Sequence, residues 1–539
     1  MVSRMSTLEP RTKMVLRRVG RVIALLFALC VCSFLLPDVA NADQWSPSIT
    51  VPPGSDGVSF VDNSQWNTIS YIVAGAGLLN RSSIQCLTIT LSGPCALSLP
   101  GTTGMVTALL PICESASSTD CVASMSLGAS AQALVPSTFV AMTDGTSTPG
   151  DPTLGIPVGS TEELWTNPLS NLGGTTTYAT LVATRFRLLD GKVMSATLSA
   201  AIYPYSEITE NNFAPFVTTN PLGEVVVEGG GIDCAYTYAT RCGRLEDFPA
   251  GTQASLSIRV TNLIGGWFRG RLQDPTISET PFDATSNTIS VSAAVVTVPT
   301  LSFVAPVSKI QSIPSTGNVF TYLGLPPPPT AAAAYVLTDS PEAFTALNDI
   351  RGPVDNTASG QMTVWSFGTL SPWTTVIGAR ASCLNDSTQV DGIVTTNSMA
   401  YQPGPPIFSG EAFSYDVAGM HYNAGGSVAL GTYDLTLRDS VADCLYGFTS
   451  APISATVTVT EGSTGDQNAA TTTVSDGSGW LHVGAYGFNF SDPTIKVKLT
   501  QISRHIKRVT ITCLASKFIK RVIGVHPRCP LGFKNVVQL

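Results

Sequence analysis

Apolar and polar residues alternate in many short stretches between residues 44 and 500, and this period of two predicts β-strands with one buried face. Three stretches show the pattern clearly: NTISVSAAVV, ISATVTVT and TIKVKLTQI. Their predicted inward positions are Ile289, Val291, Ala293 and Val295, then Ile453, Ala455, Val457 and Val459, then Ile495, Val497 and Leu499. Evenly spaced strands separated by turn signals favour β-sandwiches.

Three local signals refine this pattern. Asp-Gly at 190–191, in the centre of TRFRLLDGKVMSATL, predicts a two-residue hairpin turn. In SPEAFTALNDI, Ser340 suits a helix cap and Pro341 suits the first helical position, so we expect a short helix. In GSTEELW, Ser160 and Glu163 have the spacing of a capping box, which predicts one further helical turn.

At 539 residues, the chain is long enough for two or three domains. We expect an all-β protein in which residues 43–300 and 336–500 form tandem β-sandwich domains, immunoglobulin-like or jelly-roll-like. Residues 301–335 are predicted to link them, because four consecutive prolines favour an extended conformation. Residues 501–539 are predicted to form a small disulfide-stapled β-hairpin.

Two similar sequence segments support the tandem arrangement. GWFRGRLQDPTI covers residues 266–277, and GWLHVGAYGFNFSDPTI covers residues 479–495. Both begin with Gly-Trp and end with Asp-Pro-Thr-Ile. We therefore expect two related β-domains, in which Trp267 and Trp480 pack in a core or hairpin and each Asp-Pro marks a turn into the last strand.

The N-terminus has the pattern of an export signal. Three arginines at 17, 18 and 21 precede the apolar run VIALLFALCVCSFLL, and Ala40-Asn41-Ala42 follows as a small-x-small cleavage site. We expect residues 1–42 to be a signal peptide and the mature protein to be secreted or attached to the cell surface. The alternative is an uncleaved membrane anchor, although the apolar run is shorter than the roughly 20 residues that span a bilayer.

The ten cysteines after residue 42 suggest disulfides, since an even number in an exported chain is typical of a bonded framework. Their close couples predict four local bridges and one long one: Cys86–Cys95, Cys113–Cys121, Cys234–Cys242, Cys513–Cys529 and Cys383–Cys444. Metal binding is the rival interpretation. It is weak because no couple has the C-x-x-C spacing and none has a nearby histidine in register.

Charge is scarce and unevenly distributed. Residues 43–500 carry 15 basic and 35 acidic side chains, a net charge of −20, whereas no acid follows residue 500. The last 39 residues carry eight bases: Arg504, Lys507, Arg508, Lys517, Lys520, Arg521, Arg528 and Lys534. We expect these bases to bind anionic cell-wall polymers or lipid headgroups rather than nucleic acid. The alternative is that they dock on the acidic body.

Catalytic chemistry is not evident in the sequence. The chain has four histidines and none of the usual hydrolase, metalloprotease or phosphate-binding motifs, so we assign no catalytic, cofactor or metal residue. His482 is expected to be a solvated strand histidine. The carboxylate pairs Glu162-Glu163 and Glu246-Asp247 are expected to be solvated rather than catalytic. The tryptophans could stack on sugars, but a core role is the stronger expectation.

The segment ITCLASKFIKRVIGVHPRCPLGF resembles the C-terminal module of a family of secreted actinobacterial proteins, with an I-T-C … P-x-C-P-x-G-[YF] pattern. The segments GWLHVGAYGFNFSDPTIKVKLTQ and GWFRGRLQDPTI are similar to the same family. The resemblance implies an exported, β-rich, cell-surface protein of no established activity. The family commonly ends in a lysine cluster, whereas only Lys534 follows Gly532-Phe533 here.

These observations together predict an exported cell-envelope protein that is structural, adhesive or ligand-binding and is not an enzyme. One alternative is a secreted hydrolase acting on polysaccharide or peptide, for which a deep cleft lined by carboxylates would be needed. Another is a binding subunit for small solutes. The sequence does not predict the oligomeric state.

Overall fold

The structure is a computed structural model. It describes residues 54–536 except 62–68, 76–83, 94, 117, 146, 210–215, 220–224, 229–233, 239–240, 311–332, 339–340, 370–380, 385–387, 410, 448–452, 462–470, 491–492, 502–508, 516–517 and 525–527. The predicted signal peptide and most of the predicted linker lie outside the described residues.

The described residues form 35 strands and three α-helices. The strands of the first half are β1 Ser55–Val61, β2 Tyr71–Ala74, β3 Ile84–Cys86, β4 Thr103–Leu109, β5 Cys121–Gly128, β6 Val135–Pro136, β7 Thr138–Met142, β8 Glu163–Thr166, β9 Thr177–Leu189, β10 Lys192–Thr209, β11 Phe216–Thr219, β12 Val225–Glu228, β13 Cys234–Tyr238, β14 Arg241–Leu245, β15 Gln253–Thr261, β16 Gly266–Arg271, β17 Gln273–Pro281, β18 Ser286–Ala294 and β19 Val296–Thr300. Those of the second half are β20 Ser302–Pro306, β21 Ala333–Leu337, β22 Gly360–Val364, β23 Ser366–Thr369, β24 Val390–Thr396, β25 Ala400–Tyr401, β26 Ile407–Ser409, β27 Ala412–Ala418, β28 Leu430–Arg438, β29 Ile453–Glu461, β30 Thr471–Gly477, β31 Trp480–Asn489, β32 Pro493–Gln501, β33 Val509–Ala515, β34 Phe518–Gly524 and β35 Lys534–Val536. The helices are α1 Val307–Ile310, α2 Pro341–Arg351 and α3 Asp439–Tyr446.

The predicted all-β class is confirmed, and a 15-stranded sheet is its largest element. The main path of this sheet runs β3-β2-β4-β9-β10-β23-β16-β24-β28-β31-β30. Two five-stranded sheets pack against it. The first has the order β17-β18-β15-β5-β6, and the second is β25-β27-β32-β29 with β26 beside β27.

The long sheet joins the two segments that were expected to be self-contained sandwiches. Strand β23, from the second segment, lies between β10 and β16 of the first, and β16 continues in parallel with β24. The predicted linker also begins in a strand, since β20 pairs with β1 near the start of the described chain. Backbone hydrogen bonds therefore connect the two segments. Local sequence patterns do not predict such pairing.

The two five-stranded sheets cover opposite faces of the long sheet. Ile393 of β24 belongs to the core formed with the first five-stranded sheet, and the next residue, Val394, belongs to the core formed with the second. Successive residues of a strand point to opposite faces, so β24 is covered on both sides. All seven of its residues are accordingly buried.

The two similar segments, residues 266–277 and 479–495, occupy equivalent places in this arrangement. Each Gly-Trp begins a strand of the long sheet, β16 or β31, and each Pro-Thr-Ile lies in the strand of the five-stranded sheet that faces it, β17 or β32. Trp267 and Trp480 are both buried, as are Ile277 and Ile495. The first Asp-Pro does not form a separate turn, because Asp274 lies inside β17 at a shift in register.

The local predictions have mixed outcomes. The Asp190-Gly191 turn joins β9 and β10 with positive φ at both residues, and helix α2 begins at Pro341 as expected. The helical turn predicted around Ser160 and Glu163 is wrong. Glu163 instead begins β8, which pairs with β9, because long-range strand pairing overrides the local capping signal.

Five disulfides connect the same cysteine pairs that the sequence predicts: Cys86–Cys95, Cys113–Cys121, Cys234–Cys242, Cys383–Cys444 and Cys513–Cys529. Four close short loops, and Cys383–Cys444 spans 61 positions. Five bonded pairs are typical of a protein that folds in an oxidising, extracellular environment. Among the described residues, no helix has the length and apolar character needed to cross a membrane.

Candidate functional site

The basic C-terminal module, residues 501–539, contains one strand more than expected. Strands β33 and β34 form the predicted hairpin, and β35 adds to the other edge of β33, giving the order β34-β33-β35. Cys513 of β33 is buried and bonded to Cys529, just before β35. The short strand β35 has no alternating pattern by which the sequence could predict it.

Four of the eight candidate polyanion-binding residues are described, and all four are exposed: Lys520, Arg521, Arg528 and Lys534. The other four, Arg504, Lys507, Arg508 and Lys517, lie outside the described residues. No described acidic residue is within ion-pair distance of the four exposed bases. Their charges are therefore open to solvent and to a partner.

The strand register distributes these charges over both faces of the module. Arg521 pairs with Thr512, and Lys534 pairs with Leu514, so both bases share one face. Lys520 pairs with Cys513 and points to the opposite face. The described bases therefore lie on both faces of the module, since adjacent residues of a strand alternate.

The module has no described strand pairing with the body, because β33, β34 and β35 form a sheet of their own. The body also presents fewer acids than its composition suggests. Glu162, Glu163, Asp247 and Asp434 are all buried. Their carboxyl groups are therefore not available to attract the module.

A second cluster of polar groups surrounds His482, which the sequence predicted to be solvated. His482 is instead buried, with Nε2 2.8 Å from Asp434 Oδ1 and Nδ1 3.4 Å from Asp274 Oδ1. The Tyr486 hydroxyl donates to the same Asp434 oxygen. Burial raises the pKa of Asp434, and the hydrogen bonds from His482 and Tyr486 oppose that rise.

This cluster connects three strands rather than forming a hydrolytic triad. Asp274 comes from β17, Asp434 from β28, and His482 from β31. A triad requires a hydroxyl or thiol at the second imidazole nitrogen, whereas the described neighbour there is the Asp274 carboxylate. No local pattern indicates this cluster, because β17 precedes His482 by about two hundred residues.

The adjacent glutamates 162 and 163 are also buried, contrary to expectation. Thr143 Oγ1 donates to Glu162 Oε2 at 2.6 Å, and the Thr180 hydroxyl donates to Glu163. Burial raises the pKa of Glu162 to about 7 and also raises the pKa of Glu163. Each carboxyl is therefore engaged by a threonine hydroxyl within the fold rather than solvated.

The other carboxylate pair, Glu246-Asp247, also accepts hydrogen bonds from groups within the fold. Asp247 accepts hydrogen bonds from Thr363, at 2.7 Å from the amide and 2.6 Å from the hydroxyl. Glu246 accepts from the Ser206 hydroxyl and lies 3.1 Å from Arg244. Asp247 is therefore buried rather than solvated, whereas Glu246 is only partly buried.

The described tryptophans, at 165, 267, 365 and 480, are all buried, which confirms the core interpretation for these four. Within the described part of the chain, no group of three or more His, Cys, Asp or Glu side chains is arranged to hold a metal ion.

No protein-family model matches the chain, and no curated protein is significantly similar to it.

Proposed function

We propose that this protein is exported and held at the cell envelope by its basic C-terminal module, while its body serves a structural, adhesive or ligand-binding role. The observation that carries the proposal is the exposure of Lys520, Arg521, Arg528 and Lys534 on a disulfide-stapled sheet. Outside a cell, the abundant polyanions are wall polymers and lipid headgroups.

Electrostatic arguments support this role. Each Lys or Arg near an anionic membrane surface contributes about 1 kcal/mol of attraction, which falls off within a Debye length. Four such residues on one small module would give an affinity that depends strongly on salt. The absence of acids after residue 500 means that the sequence of the module contains no side-chain carboxylate to neutralise them.

The experiment is cell fractionation of the full-length protein and of two variants with equal change in net charge. The test variant replaces the four exposed module bases by Gln at 520, 521, 528 and 534. The matched control replaces four exposed body bases by Gln: Arg241, Lys309, Lys496 and Lys498. A third form lacks residues 501–539.

We expect the module variant and the deleted form to appear in the medium, and the body control to remain with the cells. Retention of the deleted form at the wild-type level would contradict the proposal. Equal release of the body control and the module variant would also contradict it, because the total charge would then matter rather than the module.

A further inference from the structure

An exposed apolar surface lies at the far end of the long sheet from strands β30 and β31. The disulfide Cys86–Cys95 closes a short loop, LTITLSGP, that follows edge strand β3. Leu87 is 86% exposed and Leu91 is 88% exposed, values close to those of an extended chain. Scattered surface leucines are common, but two that are almost fully exposed on one restrained loop are not.

The loop is held in place rather than free. Ile89 and Cys95 pack against a small core that also contains Cys86 and Leu97. The Thr90 amide donates to the Cys95 carbonyl at 2.9 Å, and the Thr90 hydroxyl donates to the Ser92 carbonyl at 2.8 Å. The loop therefore presents Leu87 and Leu91 outward while its middle is anchored.

The β9–β10 hairpin extends this apolar surface. Its turn is bonded to the turn after Leu99, since the Asp190 amide donates to the Thr102 carbonyl at 2.9 Å and the Gly101 amide donates to Asp190 Oδ1 at 2.8 Å. Val193 of the hairpin packs on the same small core as Ile89. Three further exposed side chains belong to residues at or next to these turns and Val193 in the chain: Leu99, Leu189 and Met194. We name these three together with Leu87 and Leu91 the apolar tip.

The charges around the apolar tip match a lipid surface. Residues 82–113 contain no charged residue at all, which is 32 consecutive positions in a chain with 12% charged residues. At its turn end, residues 185–193, the adjoining hairpin carries Arg185, Arg187 and Lys192 against a single acid, Asp190, whose carboxylate is already hydrogen-bonded. An uncharged tip beside a basic hairpin is the arrangement that suits acyl chains below anionic headgroups.

We infer that the apolar tip inserts its leucines into the interface of a lipid bilayer that contains anionic lipids. A rigid protein partner fits the surface less well, because a stable interface buries about 800 Å² on each partner in a flat, complementary patch, whereas Leu87 and Leu91 protrude from a narrow loop. The inference concerns a different region from the basic module and requires no charge on it.

The test uses the full-length chain in which all eight module bases, at 504, 507, 508, 517, 520, 521, 528 and 534, are replaced by Gln, so that the module contributes little electrostatic attraction. Binding to vesicles of phosphatidylcholine with one quarter phosphatidylglycerol is measured by sedimentation at 0.1 and 1 M salt. In this background, Leu87→Ser with Leu91→Ser should weaken binding by roughly 100-fold at both salt concentrations, since each buried leucine contributes about tenfold or more. The matched control is Leu172→Ser with Val140→Ser, which are also exposed, and it should bind as the parent does.

Thermal unfolding checks that all variants remain folded, which is expected because the changed side chains are exposed. The inference is overturned if the parent does not bind the vesicles at 1 M salt, or if the leucine pair and the control pair lose binding equally. It is also overturned if light scattering shows a dimer that the leucine pair dissociates while vesicle binding is unaffected. That result would assign the surface to self-association.

Discussion

The body and the C-terminal module differ in where their ionisable side chains lie. In the body, Glu162, Glu163 and Asp434 are buried and hydrogen-bonded to side chains from other segments of the chain. In the module, Lys520 and Arg521 are exposed and have no ion pair with a described acid. Buried charges act on folding, and exposed charges act on association. A net charge taken from composition hides this difference.

Removing a disulfide should have the largest effect on the free energy of unfolding, and the effect should be confined to the region that contains the disulfide. Replacing Cys383 and Cys444 by Ala should lower the free energy of unfolding of the body by roughly 4 kcal/mol, because this bridge closes a long loop. Replacing Cys513 and Cys529 should cost roughly 3 kcal/mol, but only within the module. The module has no tryptophan, so urea unfolding followed by tryptophan fluorescence reports the body alone. A shift of that transition in the module variant would show that the two regions unfold together.

The cluster around His482 gives the next largest effect. His482→Ala removes a hydrogen-bond partner of the buried Asp434 carboxyl and should lower the free energy of unfolding by about 3 kcal/mol, as expected when a buried polar group loses its partner. His482→Gln, which keeps a donor, should lose less. As a control, the partly exposed His421→Ala should cost less than about 1 kcal/mol. Equal losses for His482→Ala and His421→Ala would contradict a structural role for the cluster.

The raised pKa of Glu162 predicts that the free energy of unfolding depends on pH, with an effect of comparable size. Burial raises the pKa of Glu162 to about 7 in the folded state, from the usual 4.5 of a glutamate. The folded state therefore binds the Glu162 proton more tightly than the unfolded state does. The contribution of this proton to the free energy of unfolding is fully present below pH 4.5 and is lost as the pH rises through 7. The loss amounts to about 3 kcal/mol, and the raised pKa of Glu163 acts in the same direction.

Glu162→Gln should remove this contribution. The variant and the wild type should have similar unfolding free energies at pH 4, whereas at pH 8 the variant should be more stable by about 3 kcal/mol. Urea unfolding at pH 4, 6 and 8 provides the measurement. A difference that stays constant across these pH values would show that Glu162 does not titrate as its burial implies.

The smallest effect concerns the two faces of the module. Arg521 and Lys534 share one face, so Arg521→Gln with Lys534→Gln should weaken binding to anionic vesicles at 0.1 M salt by about 2 kcal/mol, or roughly 30-fold. Lys520→Gln, on the opposite face, should cost much less. Sedimentation with vesicles gives both values. Equal effects per residue on both faces would mean that the module does not dock by one face.

Local patterns in the sequence predicted what local physics determines. The alternation around Ile495 and Val497 identified buried positions correctly, and the Asp190-Gly191 turn and helix α2 were also predicted. Four of the five disulfides followed from the close spacing of their cysteines, and in each of these cases the signal and the structure involve the same few residues. Cys383–Cys444, which spans 61 positions, was the pair that remained.

The sequence predicted poorly where distant strands decide the outcome. Glu163 is buried because β9 pairs with its strand, and His482 is buried because β17 covers it. The insertion of β23 between β10 and β16 likewise depends on backbone pairing across about a hundred residues or more. Periodicity identifies which side of a strand is buried, but it does not identify which strand lies beside it.

A salt wash of intact cells would show whether the exposed module charges hold this acidic protein at the envelope, as we propose. Raising salt from 0.1 to 1 M shortens the Debye length from about 10 to 3 Å and screens exposed charges, but affects buried ones much less. We predict that full-length protein is released at 1 M salt, and that the form with four module bases replaced by Gln is already in the medium at 0.1 M. Full retention of both forms at both salt concentrations would contradict the account.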